Sequence, residues 1–60
     1  MTYDEKIITC FKELCDKQDG GASPSEVTKE MAERGWLTDL DNVLDIEKEM
    51  RRLRDVEGRL

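Results

Sequence analysis

Ser23-Pro24-Ser25-Glu26 and Gly35 bracket one helix-forming stretch, and they constrain the chain more than any other signal in it. Ser23 offers a hydroxyl oxygen to a first-turn amide. Pro24 falls at the first helical position, where its missing N–H would have no intrahelical partner anyway. Glu26, three residues after Ser23, completes the spacing of a capping box. Gly35 accepts the left-handed conformation that closes a helix. A helix over about 24–34 follows, with Val27, Met31 and Ala32 on a narrow inner face and Glu30 placed to pair with Arg34 one turn on. The rest of the chain has to pack around this short segment.

Two longer helical patterns flank it. Thr2 and Glu5 have capping-box spacing, and Ile7, Ile8, Phe11, Leu14 and Cys15 recur at three- and four-residue steps, which predicts a first helix over about 3–17. Asp19-Gly20-Gly21 is read as its stop. After a break at Trp36-Leu37-Thr38, a third helix is expected to start near Thr38 or Asp39 and run over about 39–56, until Gly58 ends it. Its apolar positions are Leu40, Val43, Leu44, Ile46, Met50 and Leu53. Val43, Ile46, Met50 and Leu53 keep heptad-like steps, but for less than two heptads, too short for a coiled coil. Packing onto the first two helices is the expected role of that seam, with a dimer contact as the alternative. The whole chain, 1–60, reads as a single all-α three-helix domain.

Sixty residues bury little core, so a domain of this size gains from dimerisation or from docking on a partner. Charged residues make up 42% of the chain, yet the apolar ones are periodic, which argues for folding over disorder. Fifteen acids against ten bases give a net charge of −5, so anionic partners are repelled unless the basic residues segregate. No apolar run has the length of a membrane span, and Asp4 and Glu5 stand where a signal peptide would carry bases. A soluble cytoplasmic protein without membrane partners is the expectation.

Catalysis finds no support. The chain has no histidine to activate Cys10 or Cys15 as nucleophiles and no phosphate-binding glycine loop. Asp39, Asp41 and Asp45 lack the glycine and terminal glutamate of a calcium loop. Five helical residues rotate roughly 140°, so the two thiols face different ways, and neither a disulfide nor a zinc site is expected. At least one cysteine is read as a small buried apolar residue. No enzyme activity, cofactor or small-molecule substrate is expected.

Two stretches carry a resemblance. Ala22-Ser23-Pro24-Ser25-Glu26-Val27 looks like the opening of the second helix of a winged-helix domain, within the helix-turn-helix class. Glu49-Met50-Arg51-Arg52-Leu53-Arg54-Asp55-Val56-Glu57-Gly58-Arg59-Leu60 looks like the end of its third helix and the start of its wing. Arg59-Leu60 would supply only a stub of the wing's first strand, so the resemblance implies a winged-helix-like bundle with little or no wing. It also implies that the third helix enters the DNA major groove. The front of that helix, residues 39–49, carries five acids and one lysine, which suits the helix dipole and opposes phosphates.

Two functions follow. The first is a small helix-turn-helix DNA-binding transcriptional regulator, dimeric, with Arg51, Arg52, Arg54 and Arg59 on phosphates and Asn42 and Lys48 facing the groove. For these arginines the alternative is local pairing, such as Glu47 with Arg51, at the negative end of the helix dipole. The second is an acidic protein-interaction module that keeps the fold without binding DNA. In that reading Trp36 and Leu37 touch the partner, against the alternative that Trp36 plugs the core from its edge.

Overall fold

The computed structural model describes residues 1–18, 21–37 and 42–60 and contains three helices: α1 (Tyr3–Lys17), α2 (Pro24–Glu33) and α3 (Val43–Asp55). Among the described residues there is no strand, and no helix is long and apolar enough to cross a membrane. Each helix packs against the other two. The radius of gyration is 10.6 Å, close to the roughly 10.4 Å expected of a compact chain of this length.

Each helix starts at a side-chain cap. Thr2 Oγ1 accepts from the Glu5 amide at 3.2 Å, and the Glu5 carboxylate reaches back to the Thr2 amide, as the sequence predicts. At α2 the Glu26 amide donates to Ser23 Oγ at 3.3 Å, with Pro24 in the first turn. The Glu26 carboxylate accepts from the Ser23 hydroxyl and from the Gln18 side chain, tying the end of α1 to the start of α2.

The start of α3 differs from the expected position near residue 39. Asn42 has extended backbone (φ −142°, ψ 173°), and its Oδ1 accepts from the amides of Leu44 at 2.9 Å and Asp45 at 3.1 Å. An asparagine that satisfies two first-turn amides at once is a stronger start signal than the acids before it. Thr38, Asp39, Leu40 and Asp41 lie outside the described residues, as do Asp19 and Gly20 of the predicted stop after α1. α1 ends at Gln18 in extended backbone, φ −130°.

The other two ends use glycine. Gly35 has φ +72°, which turns the chain so that the Trp36 amide donates to Met31 O at 2.9 Å and the Gly35 amide to Ala32 O at 3.1 Å. α2 therefore closes with Arg34 as its cap, one residue short of the predicted end. Gly58, at φ +64°, lets the Arg59 amide reach back to Leu53 O at 2.8 Å. That turn folds Leu60 onto the core instead of starting a strand of a wing.

Among the described residues, the core consists of Ile7 and Cys10 from α1, Val27 and Met31 from α2, and Ile46, Met50 and Leu53 from α3. Every pair within a helix is three, four or seven residues apart, the spacing of a single helical face. On α1 the buried line is Ile7 and Cys10, with Leu14 at its edge; Ile8, Phe11 and Cys15 flank it half-buried, so α1 is rolled away from the centre of the predicted stripe. Cys10 is the buried cysteine, and desolvation pushes its thiol pKa up, in part opposed by the charge of Arg34. The Val43, Ile46, Met50, Leu53 seam loses its first member: Val43 opens the helix and is exposed, as are Leu44 and Ala32. Trp36 and Leu37 pack partly buried against the core, which places the tryptophan at the core's edge.

A buried leucine and an exposed one on the same helix should separate cleanly. Leu53→Ala removes a fully buried side chain and should cost about 3 kcal/mol, comparable to the total stability of a domain of this length. Leu44→Ala, at a residue 70% exposed, should stay within about 0.5 kcal/mol of the parent. Urea denaturation followed by circular dichroism decides between them; equal midpoints would mean that Leu53 does not hold the core.

Candidate nucleic-acid interface

The basic residues near the end of the chain ride on α3 and the turn after it, and the structure separates them into two kinds. Arg52 is a clasp. It donates from Nη2 to Asp4 Oδ2 at 3.0 Å, across to the first turn of α1, and also pairs with Glu49 and Glu57. Hydrogen bonding to Glu49 comes first among the causes that raise its guanidinium pKa. Three carboxylates around one guanidinium leave little attraction for a phosphate.

Arg51 and Arg54 are the second kind, with side chains 67% and 64% exposed. Arg51 Nη2 meets Glu47 Oε1 at 3.4 Å, the pair that the i, i+4 spacing predicts. Arg54 Nε donates to Asp55 Oδ1 at 2.9 Å. This hydrogen bond is the main reason the Asp55 carboxyl titrates below its ordinary range, so the pair is intact at neutral pH and is lost as pH falls through that lowered value. Exposed pairs within one helix contribute little to stability and are readily exchanged. Arg59 Nη1 stands 3.7 Å from Glu57 Oε1, beyond the end of α3.

Of the predicted groove-facing residues, Asn42 caps the start of α3 and Lys48 lies midway along it. Lys48 is exposed and has no ion-pair partner among the described residues. Asn42 is exposed too, but its carbonyl oxygen is engaged by the two cap amides. Reading adenine with both amide atoms would require releasing that cap. The predicted protein contacts, Trp36 and Leu37, are half-buried at the core's edge, with the Arg34 guanidinium 5.1 Å from the Trp36 ring centroid.

Arg34 is a second clasp. It bonds Glu30 on its own helix at 3.1 Å, as expected from spacing, and it also pairs with Glu13 of α1. Nothing in the sequence marks the Glu13 partner, because helical spacing identifies neighbours only within one helix. A concave site is the other feature that sequence reading missed: Arg51 and Arg54 rim a cleft reached by Phe11, Ala22, Pro24 and Leu60, residues from distant parts of the chain. Compared with known protein families, curated proteins and solved structures, the chain shows no match.

Two substitution pairs test these assignments. Asn42→Ala should destabilise by about 1 kcal/mol, while Asn42→Asp, which keeps a cap oxygen, should be near neutral. An unfolding midpoint unmoved by Asn42→Ala would remove the cap. Arg52→Ala should lower the Tm visibly and Arg51→Ala should not. Equal Tm losses in thermal scans would contradict the division into a clasp and an open pair.

Proposed function

We propose that this domain is a small helix-turn-helix DNA-binding regulator of transcription, winged-helix-like with little or no wing, which acts as a dimer. One observation carries the reading. Arg51 and Arg54, the two most open arginines of α3, share one cleft rim with Pro24 at the start of α2. Two guanidiniums thus line one cleft with the first residue of α2, and paired cations on one surface draw a phosphodiester. Their present partners, the half-exposed Glu47 and the exposed Asp55, can give way to a phosphate. Arg59 adds charge nearby in sequence, and Lys48 is the groove-facing candidate on α3.

Arg52 is left out of the contact set, because its bond to Asp4 holds α3 to α1 and two further carboxylates occupy it. A dimer doubles the arginine contacts, which helps a chain of net charge −5 hold DNA. The second reading, an acidic protein-interaction module, draws on the 70% exposed Leu44, which stands beside Asp45 on α3 and offers an apolar contact in an acidic setting.

Fluorescence anisotropy with labelled mixed-sequence duplex tests the choice. The parent should bind at low salt, and the affinity should fall steeply as salt rises. Arg51→Ala with Arg54→Ala should weaken binding and flatten the log–log salt slope by about 2, one unit for each lost phosphate contact. No binding even at low salt would sink the DNA reading and favour the protein-interaction module.

A further inference from the structure

Met50 differs from the rest of the core in one respect. The other six core side chains among the described residues, Met31 included, are fully buried, while Met50 is 7% exposed. Met50 also lines the cleft beside Arg51 and Arg54, whose volume is about 300 Å3. A water molecule takes up about 30 Å3, so a reagent little larger than water, such as hydrogen peroxide, fits there. The rim does not exclude it. Arg51 pairs with Glu47 and Arg54 with Asp55, so the charges largely cancel, and the peroxide is itself uncharged. The other two methionines do not combine access with packing: Met31 is sealed inside the core, and Met1 is 66% exposed and outside it.

We propose that Met50 is a reversible oxidation site through which a peroxide weakens the hold of α3 on the core. A lone pair of the thioether sulfur attacks one peroxide oxygen, and the O–O bond breaks as the S–O bond forms. The departing hydroxide takes the proton of the transferred oxygen and leaves as water. Sulfur gives up two electrons and the peroxide is reduced by two. The product, methionine sulfoxide, carries a hydrogen-bond acceptor in place of an apolar thioether, and reductases can return it to methionine. No polar or charged side chain is buried among the described residues, so an oxygen turned inward finds no side-chain donor. An oxygen turned toward the cleft finds water, but the side chain then leaves its place on the face it shares with Ile46 and Leu53. Both outcomes cost α3 packing in a domain whose core is small. Arg51 and Arg54 ride on the same helix, so their placement loosens with it. The site does not depend on the DNA reading.

The test is graded oxidation of the whole chain with hydrogen peroxide, read by peptide mass spectrometry and by thermal scans. Dithiothreitol returns oxidised thiols to the reduced state before each scan and leaves sulfoxides in place. In the folded parent Met1 should oxidise first, and Met50 about tenfold faster than Met31, which has to wait for the core to open. Once Met50 is oxidised, the Tm should fall by roughly 5 °C. Methionine sulfoxide reductases acting on both epimers should restore it. Met50→Leu conserves volume, so it should fold and keep its Tm through the same peroxide treatment, with Cys10, Cys15, Met1 and Met31 all still present. Equal rates at Met50 and Met31 would mean that oxidation follows unfolding and not the cleft, and would overturn the proposal. An unchanged Tm in the oxidised parent, an equal loss in Met50→Leu, or no recovery with the reductases would overturn it as well.

Discussion

Mutual burial of Ile7, Val27, Met31, Ile46 and Leu53 is the constraint on which the other features depend. α2 and α3 are too short to persist alone in water, since helices shorter than about 12–15 residues are marginal even with favourable sequences. The 10 residues of α2 and the 13 of α3 are therefore helical because they pack. A core this small leaves helix ends near solvent, where unpaired amides compete with water and fray. Thr2, Ser23 and Asn42 answer that at the three starts, and Gly35 and Gly58 answer it at two of the ends.

The arginines divide between holding and reaching. Arg34 ties α2 to Glu13 of α1, and Arg52 ties α3 to Asp4 of α1. Both clasps converge on α1, so that helix is pinned near each end by a residue from a different neighbour. With those two committed to structure, the open positive charge of α3 narrows to Lys48, Arg51 and Arg54. That narrowing makes the proposed interface small, and it also leaves the cleft beside Arg51 and Arg54 accessible.

Legibility in the sequence follows the range of each interaction. Short-range signals read correctly: the caps at Thr2 and Ser23, the Gly35 stop, and the Glu30–Arg34 and Glu47–Arg51 pairs all involve residues within one turn or so. Asn42 is a short-range signal that was overlooked, because the acids before it also suit a helix start. The roll of α1 that buries Cys10 and leaves Ile8 half-exposed was not legible, since it is set by where α2 and α3 sit. The Glu13–Arg34 and Asp4–Arg52 pairs, like the cleft, join residues far apart in the chain. Function was the least legible, because the arginine run reads the same whether its carboxylate partners are near or far.

The Asp4–Arg52 clasp has a consequence for the way the domain assembles. Its partners are 48 positions apart, so closing it confines nearly the whole chain, at an entropic cost that no local contact offsets. The capped α2 and its glycine turn, by contrast, join residues within a few positions of one another and can form early. The seam between α1 and α3 is thus the one whose closure spans the most chain among the described side-chain bonds. The side chains around Arg52 carry the densest set of charge pairs among the described residues, placed on the contact that local order does least to bring together.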